Sequence, residues 1–463
     1  MFHTPMTYVR AGMLGVAATF LLTGCDDMHD TTLANGMRVI VKEDHRSPVV
    51  VSMVWYKVGS IDEPKGLTGI SHVLEHMMFK GTTKHGPNEM SRIIAENGGR
   101  ENAFTSSDYT AYFQQLEKSR LPISFELEAD RMQNLKLDPE EFKKEVQVVM
   151  EERRLRTDDK PESLTYEKML SVAYEKHPYH HPVIGWMDDL RKLKVEDVRD
   201  WYQRYYRPNN ATLVVVGDVK PADVVELAKK YFGPIPARDL KARAIPSEPP
   251  QSATRSTEVR APAQVPYLLM GYHVPVFSSV ETKTEDWEPY ALTVLSGVLD
   301  GGQSARFERD LVREKKVAVR VGAGYDAIGR AATLFLFDGT PAADKSTKDL
   351  EQTIRSEIER IKKEPISAEE LARVKAQVVA SDVYRRDSVF YQAMQLGQLA
   401  ICGLDLNLLD ERVRRISAVT PEQVSAVARK YFVDSNLTVA VLDPLPIPAN
   451  GKAPAAAGGS NAH

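Results

Sequence analysis

The chain is 463 residues long, a length that predicts two to four domains. Apolar residues make up 43% of the chain and charged residues 27%, which is ordinary for a globular protein and allows a large core. The formal net charge is −4 and no long basic run occurs, so the composition argues against a nucleic-acid partner.

The N-terminus has the pattern of a bacterial export signal. Arg10 precedes an apolar run over residues 11–22, which is too short for a mature transmembrane helix but fits a signal-peptide core. The run ends in Leu-Thr-Gly-Cys, which resembles the lipobox of bacterial lipoproteins. We predict that residues 1–24 are a lipoprotein-type signal peptide and that lipidated Cys25 anchors the chain to a bacterial membrane, facing the periplasm. Asp26 favours the inner membrane; the alternative is an ordinary secretory signal with a chance cysteine.

Cysteine use limits the possible metal chemistry. Cys402 is the only other cysteine, so lipidation of Cys25 leaves no intrachain disulfide. Cys402 lies in an apolar stretch, which predicts a buried and inert thiol. With two cysteines there is no cysteine-based zinc site, and any metal must be bound by histidines and carboxylates.

Composition divides the mature chain into domains and connecting segments. Strand and helix patterns alternate over residues 31–240, which we interpret as an N-terminal domain. Residues 241–264 are rich in proline and small polar residues and predict a linker. Mixed patterns return over residues 265–443 and predict a C-terminal domain, while the proline-, alanine- and glycine-rich residues 444–463 predict a disordered tail.

An internal repeat indicates that the two domains are related. Residues 195–216 predict a helix, an aromatic pair, an asparagine-containing turn and a β-branched strand. Residues 421–441 repeat the same series near the end of the chain. Each copy closes its domain at the same place, so duplication is a better explanation than chance.

The segment from His72 to His76 predicts a metal site. Residues four apart share one face of a helix, so His72 and His76 can bind the same zinc ion. Glu75 leans to the same side and can accept a proton from an activated water. This H-x-x-E-H order is the inverse of the commoner zinc motif. Alone, it leaves open a solvated helical face that happens to carry two histidines and an acid.

A second helix supplies a candidate third ligand. The pattern over residues 138–154 has an Asp N-cap and a proline at the first helical position. Glu145 and Glu152 share the face that should be buried, whereas Glu151 points away. Buried carboxylates must be paired or bind a metal. Glu152 as a ligand with Glu145 as its companion fits this rule; the alternative is that both acids pair with arginines in the core.

With these residues in place, the chain resembles the pitrilysin/insulinase family of zinc peptidases, in its bacterial two-domain branch related to the mitochondrial processing peptidase. The family motif H-x-x-E-H is followed by a ligand glutamate about 76 residues later, and Glu152 lies 76 residues after His76. The resemblance implies an α+β fold of two structurally similar domains. Each would be an antiparallel-rich sheet packed with helices, and together they would form half of a clamshell.

The resemblance also implies roles for individual residues. His72, His76 and Glu152 would bind one Zn²⁺ per chain, with water as the fourth ligand. Glu75 would be the general base and Glu145 would orient the site. A further segment matches the family's substrate-side strand, in which two residues would pair with an extended peptide: Asn102 and Ala103.

The second domain departs from the family pattern at the substrate clamp. Many members carry there an arginine and a tyrosine that bind substrate. Arg313 fits the arginine position, but Val319 stands where the tyrosine is usual. The resemblance implies a dimer, and we expect a heterodimer with a paralogue that carries the Arg/Tyr pair. The alternative is a homodimer in which Val319 arose by drift.

We therefore predict a zinc metallo-endopeptidase that hydrolyses short or unfolded peptides. A non-catalytic, partner-binding or assembly subunit of the same fold is the alternative, although such members usually lose the histidines or glutamates retained here. A purely structural metal site is a third possibility. Glu75 argues against it, because a structural zinc needs no adjacent free carboxylate.

Overall fold

A computed structural model describes residues 28–240, 244–279 and 286–447. We call the residues up to 240 the first half and those from 244 the second half. The predicted signal peptide, Cys25 and the end of the predicted tail from residue 448 lie outside the described residues. No helix within the described ranges combines the length and apolar character needed to cross a membrane.

The first half is built on a six-stranded mixed sheet in the order β1-β2-β6-β3-β5-β4. The central strand β6 is buried along its whole length, and its run of valines suits a position covered on both faces. β6 runs parallel to β2, and the remaining pairs are antiparallel. The strands of this sheet are β1 (Met28–Thr32), β2 (Arg38–Glu43), β3 (Val49–Tyr56), β4 (Arg100–Thr105), β5 (Thr110–Glu117) and β6 (Ala211–Gly217).

One face of this sheet carries helices of the first half around a large apolar core. The α-helices are α1 (Ile70–Met77), α2 (Glu89–Glu96), α3 (Leu121–Asn134), α4 (Pro139–Arg153), α5 (Pro161–Ala173), α6 (Met187–Leu190), α7 (Val195–Tyr205) and α8 (Pro221–Tyr231). Short 3₁₀ turns lie at Ser60–Asp62, Lys118–Arg120, Pro178–His180 and Pro208–Asn210, and a π-helical turn at Arg154–Asp158.

The second half contains a five-stranded sheet in the order β7-β11-β8-β10-β9. Its strands are β7 (Arg255–Pro262), β8 (Tyr267–Val274), β9 (Ala318–Gly324), β10 (Thr333–Pro341) and β11 (Leu437–Leu445). Its α-helices are α9 (Glu288–Asp300), α10 (Thr347–Lys363), α11 (Ala368–Arg385), α12 (Val389–Ile401), α13 (Leu408–Ala418) and α14 (Pro421–Tyr431). A π-helical segment spans Phe307–Glu314, and 3₁₀ turns span Phe277–Ser279 and Asp434–Asn436.

The two halves repeat one another, as the sequence repeat predicted. β6 and β11 each pair with one parallel and one antiparallel neighbour, and both follow a helix and a 3₁₀ turn. The side-chain amide of Asn210 donates to the carbonyl of Tyr205 at 2.9 Å. That of Asn436 donates to the carbonyl of Tyr431 at 3.0 Å. The repeated asparagine therefore has the same capping role in both halves.

Each half lends one helix to the opposite sheet. α12 of the second half packs on the first sheet, and α5 of the first half packs on the second sheet. Glycines allow both close approaches: a Cβ at Gly397 of α12 would lie 2.0 Å from Cε2 of Trp55. A Cβ at Gly271 of β8 would lie 2.4 Å from Cε of Met169 in α5. Because α12 and α5 each pack on the sheet of the other half, the second face of each sheet is covered and the two halves are joined.

Two segment predictions need correction. The predicted linker over residues 241–264 contains β7, which pairs in parallel with β11 and so belongs to the second sheet. The predicted tail began at residue 444, but Pro444 and Leu445 still pair with β7. Proline and small residues obscured both strand ends. Pro262 lies on the edge strand β7, and Pro444 lies beyond Leu442, the last residue of β11 that pairs with β8, so each proline stands where the strand has a neighbour on one side only.

Candidate metal centre

A buried carboxylate fixes the start of α1, the helix that carries both histidines. Gly69, which precedes the helix, has φ of 85°, a left-handed conformation that favours glycine. Glu63 is buried and accepts hydrogen bonds from the N–H groups of Gly69 at 2.7 Å and Ser71 at 2.9 Å. These bonds satisfy donors that the first turn of a helix otherwise leaves free. α1 therefore begins at a defined residue and orientation.

The helix that carries both glutamates starts as the sequence predicted. Asp138 is the N-cap of α4, accepting hydrogen bonds from the next two free N–H groups, and Pro139 occupies the first helical position. Glu145 lies on the buried face and Glu152 is only partly exposed, while Glu151 is exposed and pairs with Arg154. α4 packs against α1, so the acidic face of one helix meets the histidine face of the other.

His72, His76 and Glu152 form one group of potential metal ligands. The Nε2 atom of His76 lies 3.4 Å and that of His72 lies 3.7 Å from Oε2 of Glu152. One donor atom from each of the three residues can be chosen so that all lie within 4.8 Å of one another. Tetrahedral zinc with nitrogen and oxygen ligands separates neighbouring donors by about 3.3–3.6 Å. The donor types therefore fit zinc, and the two distances from the histidines to Glu152 are close to this separation.

A second layer of contacts orients the ligands. Oε2 of Glu145 lies 3.2 Å from Nδ1 of His76, and its other oxygen lies 2.8 Å from Nζ of Lys80. A carboxylate behind a metal-binding histidine fixes the ring and its tautomer. Arg156 lies 2.7 Å from Oε1 of Glu152, the oxygen that faces away from His76. Glu145 thus contacts the ring of His76, and its orienting role stays a prediction.

Glu75 lies beside the ligand group and is held by a strand. The hydroxyl of Thr105, at the end of β4, donates to Oε2 of Glu75. Burial raises the pKa of Glu75, and the bond from Thr105 partly offsets that rise. A carboxylate with a raised pKa is a stronger proton acceptor than an exposed one, which suits a general base.

The pKa values of the two histidines are shifted in opposite directions. Burial lowers the pKa of His72 to about 4, so its ring is neutral near pH 7. Burial also lowers the pKa of His76, but hydrogen bonds with Glu152 and Glu145 outweigh it and the net shift is upward. The hydrogen bond with His76 lowers the pKa of Glu152, which keeps that carboxylate ionised. A neutral imidazole and a carboxylate are the forms that bind a metal.

The predicted substrate residues lie on the edge of the first sheet. Asn102 and Ala103 belong to β4, the last strand of the sheet order, and β4 contacts α1. Asn102 is exposed, and its side-chain oxygen accepts a hydrogen bond from the N–H of Ala103 at 2.9 Å. An edge strand next to the metal ligands is the geometry that strand addition by a peptide requires.

The second-half candidates are not brought to the ligand group by any described contact. Arg313 lies in the π-helical segment and binds the carbonyl of Gln303, with Glu308 at 3.8 Å. Val319 is 67% exposed on β9, the edge strand of the second sheet. Cys402 is half-buried rather than fully buried, and burial raises its pKa to about 12, which keeps the thiol protonated.

Three contacts at the centre carried no predicted role. Lys80 lies four residues after His76 and Arg156 four residues after Glu152, so the helical period could have placed both beside the ligands. Thr105 lies two residues after Ala103 and therefore on the same face of β4, the face toward α1. Strand periodicity could have suggested this position. The distance between β4 and α1, however, is a tertiary property.

Family models match most of the chain. The family described as insulinase (peptidase family M16) matches residues 38–185, the segment that contains all the metal-centre residues. The family described as peptidase M16 inactive domain matches residues 192–378. The second match starts just before α7 of the first half and ends within α11 of the second half, in which no described residues form a metal-ligand group.

Individual relatives match over nearly the whole chain. Zinc protease PqqE of Helicobacter pylori is 32% identical over 93% of this chain and 98% of its own length. The uncharacterized zinc protease YmxG of Bacillus subtilis is 27% identical over 89% of this chain and 97% of its own.

Solved structures share the fold. The crystal structure of a protease from Helicobacter pylori has a TM-score of 0.84 at 33% identity and covers 90% of this chain and 99% of its own. The periplasmic protease PqqL of Escherichia coli has a TM-score of 0.76 at 19% identity, and the match spans 48% of the PqqL chain. The sequence relatives, the family models and the fold agree: the chain belongs to the insulinase family of peptidases, family M16.

Proposed function

We propose that this chain is a zinc-dependent endopeptidase that hydrolyses peptide bonds in short or unfolded peptides. The observation that carries the proposal is the position of Glu75. Its carboxylate lies next to the His72, His76 and Glu152 donors and is not needed as a ligand. A structural metal site has no use for a buried free acid with a raised pKa.

Each residue at the centre has a distinct part in this mechanism. His72, His76 and Glu152 would hold the zinc ion, which, when bound, polarises the carbonyl and lowers the pKa of water. Glu75 accepts the proton of the attacking water and passes it to the departing amine nitrogen. Thr105 keeps the Glu75 carboxylate in place during both transfers.

The substrate would bind as an added strand on β4. The edge of β4 presents backbone groups beside the metal ligands, and the exposed Asn102 lies on it. Only an extended segment can pair with a sheet edge over several residues. We therefore propose unfolded or short peptides as substrates rather than compact folded proteins.

Substitution of Glu75, the proposed base, distinguishes the peptidase from a non-catalytic subunit and from a structural metal site. Glu75→Gln keeps the shape of the side chain, so the variant should retain one zinc per chain. Because an amide cannot accept the proton, kcat on a quenched peptide should fall by about 10²–10⁴-fold. Zinc content and turnover are measured together. An inactive wild type with bound zinc, tested alone and with a paralogue, would indicate the non-catalytic subunit or the structural metal instead.

We further propose that the active form is a dimer, with a paralogue as the preferred partner. Val319, where the resemblance leads us to expect a tyrosine, is exposed and cannot donate a hydrogen bond from its side chain. The fold of this chain corresponds to about half of the larger PqqL chain, which supports pairing of two such units. Light scattering and a titration with the paralogue test this; full activity of the isolated chain would contradict the need for a partner.

We also propose that the chain is lipidated at Cys25 and held at the periplasmic side of a bacterial membrane. The lipobox-like sequence before Cys25 supports this. Mass spectrometry of the mature N-terminus should find an acylated cysteine, and Cys25→Ser should release the protein from the membrane fraction. An unmodified N-terminus in the wild type would support the ordinary secretory signal.

A further inference from the structure

A buried arginine of the second half reaches into the first half near the metal centre. Arg330 lies in the connection between β9 and β10, and its side chain is 11% exposed. Its two terminal nitrogens donate to the two carboxylate oxygens of Asp62 at 2.7 and 3.1 Å. Asp62 is itself buried, so the pair is bidentate and shielded from water.

The same arginine fixes the turn between β4 and β5. Its backbone N–H donates to Oδ2 of Asp108 at 3.1 Å, and its side chain donates to the backbone carbonyl of Asp108, also at 3.1 Å. The other carboxylate oxygen of Asp108 accepts from the hydroxyl of Tyr179 at 2.7 Å. Asp108 is therefore held from both halves of the chain.

The segment around Asp62 contacts the β4–β5 turn and leads directly into the cap of α1. The backbone of Ser60 and Ile61, just before Asp62, donates to the carbonyls of Ser106 and Ser107 at 3.2 and 2.9 Å. The residue after Asp62 is Glu63, which fixes the start of α1.

The turn reaches the centre from its other side as well. The residue immediately before Ser106 is Thr105, whose hydroxyl holds Glu75. Arg330 is thus linked to the two elements that position the metal centre: α1, through Asp62 and Glu63, and the end of β4, through Asp108 and Thr105.

We propose that Arg330 is a positioning residue through which the second half fixes the position of α1, the helix with both histidines, and of the Glu75 carboxylate. The inference rests on the proposed peptidase function and explains why a half without a described metal-ligand group stays part of the site. Loss of Arg330 would leave Asp62 and Asp108 buried without their cation. The turn would then shift toward solvent and carry Thr105 with it, and a displacement of about 1 Å can cost about 10²-fold in rate.

The experiment compares Arg330→Gln with Asp62→Asn and the double variant in the full-length chain. Arg260→Gln is the matched control, because Arg260 pairs with Asp443 on the exposed surface of the second sheet. Four quantities are measured: zinc content, kcat and KM on a quenched peptide, the absorption spectrum of the Co²⁺-substituted protein, and hydrogen–deuterium exchange of residues 105–110.

Arg330→Gln and Asp62→Asn should each lower kcat by about 10–10²-fold per zinc-loaded molecule, with a smaller change in KM. The double variant should be no worse than the more damaging single one, because both break the same link. Exchange at residues 105–110 should accelerate and the Co²⁺ spectrum should change, while Arg260→Gln alters none of these. Unchanged kcat and unchanged exchange in folded Arg330→Gln would overturn the proposal and leave the pair a purely stabilising contact.

A milder variant covers the case in which Arg330→Gln does not fold. Tyr179→Phe removes only the hydroxyl that holds Asp108 and should produce the same exchange pattern with a loss of kcat of a few-fold to about tenfold. Normal exchange and normal kcat in this variant would count against the proposal. If the wild type shows no peptidase activity either alone or with a paralogue, the proposed function fails, while exchange and the Co²⁺ spectrum still decide the positioning role.

Discussion

The two halves of this chain use the same framework around different interiors. The strand order β2-β6-β3-β5-β4 of the first sheet corresponds to β7-β11-β8-β10-β9 of the second. Helix α1 contacts β4, α4 and α7, and helix α9 contacts β9, α11 and α14 in the same arrangement. Yet α1 carries His72, Glu75 and His76, whereas the buried face of α9 is mainly aliphatic. The fold alone therefore does not determine whether this position carries potential metal ligands.

The ligand group also differs from other sites in how its buried acids are neutralised. In the second half, Arg306 pairs with Glu357 at 3.1 Å and with Glu370 at 2.7 Å. In the first half, Glu152 faces two histidines and Glu145 faces His76 and Lys80. The first half has such pairs too, since Arg131 pairs with Glu128 and Arg153 with Glu167. At the ligand group the only arginine described is Arg156, whose side chain is exposed, so the pairing with core arginines left open for Glu145 and Glu152 does not occur there. At the candidate metal centre, histidines thus stand where arginines stand beside other buried carboxylates.

Removing a ligand should make the first half as inert as the second. Glu152→Gln loses an anionic donor, so zinc content should fall far below one per chain and kcat by at least about 10³-fold. Glu151→Gln is the matched control, since Glu151 is the exposed neighbour on the same helix. Zinc analysis and peptide turnover check both variants; a Glu152→Gln protein that keeps zinc and activity would remove Glu152 from the ligand set.

Removing Arg306 from its ion pairs should destabilise the second half without changing zinc binding in the first half. Arg306→Gln removes the partner of Glu370 and leaves Glu357 with Arg360 alone, so the free energy of unfolding should fall by up to about 3–5 kcal/mol. Zinc affinity should stay unchanged. Urea unfolding measures the loss, with the exposed Arg385→Gln as control. A stability close to wild type would show that water reaches these acids.

Weakening the layer behind the ligands should have an intermediate effect. Glu145→Gln still fills the space next to His76 but no longer carries the charge that orients the ring, so zinc affinity should drop about 10–100-fold. At saturating zinc, part of the activity should return. Competition with a chelator measures the affinity, and Glu140→Gln on the exposed side of α4 is the control. Equal affinities in the two variants would assign Glu145 to folding alone.

The smallest expected effect concerns the helix that the second half lends to the first sheet. Asp44 accepts hydrogen bonds from Arg46 and from Gln392 of α12, and the bond with Arg46 lowers its pKa to about 2. A carboxylate with a lowered folded-state pKa contributes stability above its unfolded pKa of 3.8, and that stability is lost as the pH falls toward 2.

Asp44→Asn should therefore cost about 1–2 kcal/mol at pH 7, a value reduced because Arg46 is half exposed, and about nothing at pH 2. Urea unfolding of wild type and variant between these pH values gives the difference. The exposed Asp223→Asn serves as control. A difference that does not depend on pH would assign the effect to packing rather than to the charge.

The sequence alone was sufficient for the elements with strong local signals. Helix α4 was predicted from its cap and its spacing because Asp138, Pro139 and the buried face are encoded within one segment. The placement of Glu145 and Glu152 followed from the helical period. The strand β7 was missed because an edge strand with proline and polar residues has no distinctive pattern.

What the sequence determined by itself was the set of donors: two histidines on one helix face, a free carboxylate between them, and two acids on the buried face of a second helix. These follow from the fixed periods of regular structure. Only the tertiary structure decided that Thr105 holds Glu75 and that Arg330 ties the second half to that support. Residues 105 and 330 are distant in the chain and meet through sheet and loop packing, which no local period encodes.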